Sequence, residues 1–294
     1  MEYTHINFKE QRDFGQVLNS TFFFIRQNFK KLGKALIYYV APFILLQAIS
    51  VVYYQNNVNN IGFAFRMHGI AALQDNFLIY FSIQVVAMFL NSVMLILTVY
   101  SYIKLYIENG RDGFTLTDVR RSIQKYFWRI VGAGFIGGLV VVIGFFMCIL
   151  PGIYLGVSLS LMTLIIVIED KSFGEAFSRS FKLSHYHWWW ILLLLLVTYT
   201  IIYIVSLIFT IPQLIVTSAY RLHSVFGRGD DYEILKYLSI AITIISSFVS
   251  SFLMIMIYIS LSFEYFSIVE KKESPTLLHK IEQLESEGGI NHEE

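Results

Sequence analysis

Long apolar runs alternate along this chain with short polar stretches, and the runs predict membrane-crossing helices. Each of six runs approaches or exceeds the roughly 20 residues that a helix needs to cross the hydrocarbon core of a bilayer. They cover residues 32–54, 77–102, 127–150, 152–168, 188–215 and 237–269, and a charged tail, 270–294, follows. Because the last run is longer than a bilayer requires, we expect it to tilt or to protrude on its exit side.

Three further segments carry apolar side chains at helical spacing with polar side chains opposite, which is typical of helices in the membrane interface. They cover residues 13–31, 116–126 and 173–183, and each precedes two of the apolar runs. Thr115 with Asp118, and Ser172 with Glu175, fit capping boxes that begin the second and third segments. The pattern predicts an all-α polytopic membrane helical bundle: six transmembrane helices and three amphipathic cytoplasmic interfacial helices, in one domain (1–269) built from three repeats.

The pair Pro151-Gly152 separates two apolar runs and predicts the tip of a tight transmembrane hairpin. In lipid, helices gain little from hiding apolar surface from one another, so close contact at small residues must supply the packing. We therefore predict a packing seam at the small residues of the third and fourth runs; a pore or substrate contact is the alternative interpretation. The seam residues are Gly134, Gly138, Gly152, Gly156 and Ser160.

Composition narrows the class of protein. With 56% apolar and 17% aromatic residues, the chain falls outside the soluble globular class. The single Cys148 excludes an intrachain disulfide and a cysteine-based metal cluster. His185 and His187 lack a nearby third ligand and precede a Trp triplet, so they fit an aromatic interfacial belt better than a metal site. We expect no cofactor, no metal and no nucleic-acid partner.

The distribution of basic residues predicts the orientation. If six spans are present, 18 of the 22 Lys and Arg residues fall on the side of the termini. By the positive-inside rule, both termini and the three interfacial helices are then cytoplasmic. Four clustered cations are candidate contacts for anionic lipid headgroups on that side. They are Arg120, Arg121, Lys125 and Arg129.

Charged side chains are scarce within the apolar runs, which argues against ion-coupled transport. Neutral polar residues such as Gln47 and Asn91 either form interhelical hydrogen bonds or line a groove. Arg179 lies beneath the bundle, where a partly desolvated arginine should be paired. The sequence predicts an ion pair with Glu264, the preferred partner, or with Glu169. The alternative is that Arg179 extends to lipid phosphate.

Short motifs across most of the chain resemble a known architecture. They include the run from Pro151 to Leu155, Glu169, the Arg179-Ser180 pair and Trp188-Trp189. They resemble an uncharacterised family of six-span bacterial membrane proteins, related to the membrane region attached to some glycerophosphoryl diester phosphodiesterases. In those enzymes catalysis belongs to a separate soluble barrel domain, for which this sequence offers no segment. The resemblance implies the architecture and a bacterial inner-membrane location, and it transfers no catalytic residue.

These observations lead to one functional expectation and one alternative. We expect a non-enzymatic integral inner-membrane protein that serves as an accessory or scaffold subunit of a cell-envelope assembly. Its partners would be membrane lipids and other membrane protein subunits. The alternative is a lipid-handling or small-solute transport protein with a groove between the helical repeats. A membrane-embedded enzyme ranks last, because no nucleophile–base pair or metal cluster has useful spacing.

Overall fold

A computed structural model describes residues 6–68, 77–226 and 231–273 of the chain. Within these residues there are eight α-helices and no strand, so the predicted all-α class and helical bundle are confirmed. The helices are α1 (Phe14–Tyr39), α2 (Ala41–His68), α3 (Phe77–Asn109), α4 (Leu116–Met147), α5 (Ile149–Leu159), α6 (Met162–Ile168), α7 (Phe173–Phe226) and α8 (Asp231–Glu273). The predicted tail begins inside α8, and residues 274–294 lie outside the described part of the chain.

Several helices have the length and apolar character of membrane spans. Five described segments pass by length and composition: Leu78–Asn109, Leu116–Met147, Ile149–Ile168, Phe173–Tyr220 and Glu233–Glu273. A sixth is reached only if α1 and the first half of α2 count as one broken span. This number is consistent with a multi-pass membrane protein and with the six apolar runs of the sequence.

The break between α1 and α2 lies later in the chain than predicted. The two helices meet at Val40, and their axes differ by 57°. The predicted boundary between the first interfacial segment and the first span, at residues 31 and 32, lies inside α1, so no helix break is present there. The bend lies beside Pro42, which fits the first turn of a helix because an N–H there has no intrahelical partner.

The second and third interfacial segments are not separate helices. They are the first turns of α4 and α7, which continue without a break into the apolar runs. Their predicted starts hold: the Asp118 carboxylate accepts hydrogen bonds from the Thr115 N–H (2.9 Å) and hydroxyl (2.7 Å). Glu175 does the same for Ser172, at 2.9 and 2.7 Å. The helices do not end at residues 126 and 183 as predicted, because no Pro or Gly lies there to stop them.

The turn of the predicted hairpin lies at Cys148 rather than at Pro151-Gly152. Cys148 has an extended backbone (φ −172°, ψ 156°) between the end of α4 and the start of α5. Pro151 is the third residue of α5, in the first turn, where its missing N–H costs little. The predicted fourth span is also interrupted, because α5 ends at Leu159 and α6 begins at Met162.

The hairpin packs most closely at Gly152, which the predicted seam includes, and at Gly144, which it does not. A Cβ added at Gly144 would lie 3.1 Å from the Gly152 Cα and 2.8 Å from Leu155 Cδ1. Gly144 and Gly152 each lie four residues from Cys148, so the turn itself brings the two glycines face to face. Gly152 also accommodates the ring of Phe145, which a Cβ there would overlap.

The other predicted seam residues have different surroundings. Gly134 approaches Phe89 of α3, with 3.2 Å from an added Cβ to the ring. Gly138 has no atom within 4 Å of that position, and Gly156 meets only Val141, at 3.9 Å. The Ser160 hydroxyl bonds to the carbonyl of its own helix neighbour Val157 at 2.7 Å. The predicted seam is therefore wrong at Gly138, because the hairpin turns three residues earlier than the sequence suggested, whereas Gly156 keeps an ordinary contact with Val141 across the hairpin.

This packing predicts that substitutions at two glycines of α4 have different effects on the melting temperature. Gly144→Val should lower the melting temperature of the detergent-solubilised protein, since overpacking a close contact costs roughly 1–3 kcal/mol. Gly138→Val is the matched control and should leave the melting temperature nearly unchanged, because its added methyl groups meet open space. Equal melting temperatures for the two variants would contradict the assigned seam.

Candidate functional site: the charged network at the basal end

Helix ends from most of the bundle converge with the N-terminal segment at one end of the molecule. We call this region the basal end; it comprises residues 6–13, 102–118, 165–183 and 262–273. Its centre is Phe8, which is 2% exposed and stacks on Phe263 with ring centroids 4.4 Å apart. Three further rings make edge contacts with Phe8: Phe24, Tyr106 and Phe266. The N-terminal segment is thus held between α1, α3 and α8.

Arg12 fixes the same segment through backbone and side chain. Its N–H donates to the Ser267 hydroxyl at 3.0 Å, and its carbonyl accepts from that hydroxyl at 3.1 Å. Its guanidinium bonds to the Phe8 carbonyl (3.2 Å) and the Glu10 carboxylate (3.0 Å). Burial lowers the pKa of Arg12, and the nearby Glu10 partly offsets this effect. Sequence reasoning missed Phe8 and this role of Arg12 because both precede the periodic part of α1.

Arg179 of α7 joins carboxylates from two other elements. Its Nε donates to Glu169, at the end of α6, at 2.5 Å. Its two terminal nitrogens bind both oxygens of Glu273 of α8, at 2.9 and 3.0 Å. Forked contacts of this kind are the stronger class of ion pair. Because Arg179 and Glu169 are only 20% and 15% exposed, the contact is shielded from water on most sides.

The predicted preference for Glu264 as the partner of Arg179 is wrong, while its alternative Glu169 is the observed partner. Successive helix residues point about 100° apart. Tyr265 therefore faces Glu169 and donates its hydroxyl to that carboxylate, whereas Glu264 lines a cavity with Arg12 and His187.

Glu169 remains an ionised acceptor despite its burial. Burial raises the pKa of Glu169, but hydrogen bonds from Lys171, Tyr265 and Arg179 together lower it more. The net pKa lies below the ordinary value for a glutamate. Such a carboxylate contributes stability above its unfolded pKa and loses that contribution as the pH falls through its folded pKa.

Asp170 ties α4 to the start of α7. It has a left-handed backbone (φ 53°) directly after α6, a position that aspartate tolerates better than most residues. Its carboxylate accepts from Lys125 at 2.5 Å and from Arg129 at 2.7 Å. The hydrogen bond from Lys125 is the main cause that lowers the pKa of Asp170, and Arg129 adds to it.

The four cations predicted to contact lipid headgroups therefore differ in their surroundings. Lys125 and Arg129 share Asp170, so a protein carboxylate already offsets one of their two positive charges. Arg121 lies 3.5 Å from Asp118 but is 77% exposed, and Arg120 is exposed. Lipid contact stays a prediction, and it is best supported at Arg120 and Arg121.

Further contacts extend the network to α1 and α3. Lys104 donates to the Tyr126 hydroxyl and to the Val167 carbonyl, both at 2.8 Å. Lys31 of α1 forms an ion pair with Asp112 in the loop between α3 and α4. Lys104 and Lys31 thus each contact groups from a different element of the fold.

Neutral polar residues form a second set of interhelical contacts away from the basal end. The Asn91 amide of α3 donates to Gln47 of α2 at 2.5 Å and to Ser251 of α8 at 3.3 Å. The Ser50 hydroxyl donates to Gln84 at 2.8 Å. Of the two roles open to these side chains from the sequence, the structure shows interhelical hydrogen bonding.

The contacts of this network are hydrogen bonds and ion pairs between elements of the fold. The described residues contain no group of three His, Cys, Asp or Glu side chains placed to hold a metal ion. Arg179 is paired with Glu169 and Glu273, and Asp170 with Lys125 and Arg129, so these charges are fixed in position. Such an array can present a defined surface to a partner or to lipid phosphates.

Comparison with known proteins gives a family and no function. The sequence profile described as "Domain of unknown function (DUF7847)" matches residues 76–267, more than half of the chain. Neither the curated proteins nor the solved structures gave a match.

The ion pairs predict a measurable coupling. Arg179→Gln and Glu169→Gln should each lower the melting temperature in detergent, and the double variant should lose less than the sum. Contacting charges typically couple by about 0.5–3 kcal/mol. A parallel cycle with Glu264→Gln is the control and should give a coupling near zero. If the Glu264 cycle shows the larger coupling, the assigned pairing is wrong.

Proposed function

We propose that this chain, which belongs to the DUF7847 family, is a non-catalytic membrane protein that acts as an accessory or scaffold subunit of a cell-envelope assembly. The main observation behind this proposal is that Arg179, Glu169 and Asp170 at the basal end already have partners of opposite charge. A catalytic or transporting group must exchange protons or ligands during its cycle. Arg179 instead binds Glu169 and Glu273, and Asp170 separately binds Lys125 and Arg129; these paired charges favour a fixed docking platform.

The long pair formed by α7 and α8 also supports an assembly role. These helices have 54 and 43 residues and make the most extensive helix contact in the described part of the chain. At about 1.5 Å per residue they are about 81 and 65 Å long, against a hydrocarbon core of about 30 Å. Exposed apolar residues continue toward the end of α7, including Leu214 and Ile215, at 66% and 63% exposure. Partner subunits in the membrane would shield such a surface.

The location that we propose is the bacterial inner membrane, with the basal end in the cytoplasm. The basic residues concentrate at that end, as the positive-inside rule requires for a cytoplasmic face. The resemblance to the membrane region attached to phosphodiesterases supports the same location.

A second candidate function, lipid handling, is favoured by one apolar groove. A groove of about 270 Å³ lies between α1 and α8, with Phe22, Phe29, Leu36, Phe252 and Met256 among its walls. Its lining is almost entirely apolar, which suits an acyl chain. A lipid moved through this groove would need no ionisable group in the spans.

The orientation predicts a labelling pattern in intact cells. In a Cys148→Ser background, a cysteine at Asn59 or Gly229 should react with an impermeant thiol reagent. A cysteine at Gly110 or Ser286 should react only after the cells are lysed; Gly229 and Ser286 lie outside the described residues. The reverse pattern would place the basal end on the outside.

The scaffold role predicts a protein partner that depends on the basal platform. Affinity purification of the tagged full-length chain in mild detergent, with mass spectrometry, should recover another membrane protein at a constant ratio. Arg179→Gln should lower that ratio several-fold, because it loosens α7 from α6 and α8. Glu233→Gln, an exposed change at the opposite end of α8, is the matched control and should leave the ratio unchanged.

Two outcomes would contradict the scaffold role. One is recovery of the chain without any protein at a constant ratio but with one lipid class enriched, which would favour lipid handling. The other is an equal partner ratio for the Arg179 variant and its control.

A further inference from the structure

A small polar cavity opens at the basal end between the start of α1 and the facing sides of α7 and α8. Its volume is about 150 Å³, several times the roughly 30 Å³ that one water molecule occupies in the liquid. Its walls include Asp13, Phe14, His187, Trp190, Glu264 and Lys271. The cavity is distinct from the Arg179 ion pairs, because Glu264 and Tyr265 point to different sides of α8.

Glu264 is the group in this cavity that has no partner within the described part of the protein. It is partly buried and lies between the buried residues Phe263 and Tyr265. Among the residues that the structure describes, none gives its carboxylate a hydrogen bond or an ion pair within 4 Å. A carboxylate that is partly shielded from water and has no protein partner is less well stabilised than one at the surface or in an ion pair. A glutamine at this position would not carry the destabilising charge. We therefore infer that the charge of Glu264 serves to bind a cationic ligand.

The cations nearest to Glu264 do not neutralise it. The guanidinium of Arg12 is taken by Glu10 and by the Phe8 carbonyl. Lys271 lies two turns further along α8, where it is exposed at the rim of the cavity. Glu264 is therefore an unpaired negative group inside the cavity, whereas Lys271 and the carboxylate Asp13 are exposed at its edge.

The aromatic side chains in the walls indicate which kind of cation binds and at what depth in the membrane the cavity lies. The faces of Phe14 and Trp190 can attract an ammonium group. Trp190 is 55% exposed and follows Trp188 and Trp189, and such Trp clusters mark the level of lipid headgroups. A ligand that carries an ammonium group next to a phosphate would match Glu264 inside and Lys271 at the rim.

We propose that this cavity binds a phosphoethanolamine group, supplied by the headgroup of an aminophospholipid in the leaflet next to the basal end. The primary ammonium has three N–H donors and bonds to the Glu264 carboxylate, while the phosphate pairs with Lys271. A choline headgroup cannot donate these hydrogen bonds, and the phosphate of an anionic lipid would meet Glu264 without a compensating ammonium. The site therefore selects the ethanolamine headgroup over both.

The test measures melting temperature on the delipidated full-length protein in detergent. Phosphatidylethanolamine, phosphatidylcholine and phosphatidylglycerol with identical acyl chains are added separately. Near saturation, phosphatidylethanolamine should raise the melting temperature by about 5 °C more than either of the others. Free phosphoethanolamine distinguishes the source: a shift with the lipid alone is expected, and an equal shift with the free compound would assign the ligand to the soluble pool.

Variants separate binding from a structural role. Glu264→Gln should abolish the extra shift with phosphatidylethanolamine, while without lipid it should melt at the same temperature as the wild type or higher. Lys271→Gln, an exposed change, should reduce the extra shift even if the Glu264 variant fails to fold. Glu233→Gln on the same helix is the matched control and should keep the full shift. Equal shifts with all three lipids, or a full shift in the Lys271 variant, would overturn the proposal.

Discussion

The fold depends on the ion pairs that Arg179 makes with Glu169 and Glu273 at the basal end. In a bilayer, helices gain little from hiding apolar side chains from one another, because lipid is equally apolar. Specific contacts must then decide which helices touch and in which register. Arg179 connects the end of α6, the start of α7 and the end of α8, and Asp170 connects the same region to α4. Phe8 fills the space next to this layer and brings the N-terminal segment into the core.

Local signals in the sequence predicted the helices well and the turns between them less well. Apolar runs and capping boxes act within a few residues, so Thr115 and Ser172 marked real helix starts. Pro151 misled the prediction of the hairpin tip, because a proline suits the first turn of a helix as well as a loop. The error shifted the expected register of the hairpin. As a result, Gly144 was missed and Gly138 was chosen, although Gly138 faces open space.

The charged contacts show where sequence reasoning reaches its limit. Hydropathy placed Arg179, Glu169 and Glu264 at a similar depth, but it did not give the rotation of α8 about its axis. That rotation decides that Tyr265 faces Glu169 and that Glu264 faces a cavity. Lys125 and Arg129 looked available to lipid because their partner, Asp170, lies more than 40 residues away in the chain. These contacts depend on how the helices pack together, and the periodicity within one segment does not determine that packing.

We expect the bundle to be most stable at its basal end and least stable at the far ends of α7 and α8. Hydrogen–deuterium exchange of the detergent-solubilised wild-type chain, read by mass spectrometry, tests this most directly. The slowest exchange should occur in residues 97–106, 161–168 and 255–268, where most side chains are buried. Residues 200–220 and 233–250 should exchange faster, although they are also helical. Uniform exchange along α7 and α8, or slower exchange at their far ends, would show that the basal end is not the most stable part of the bundle.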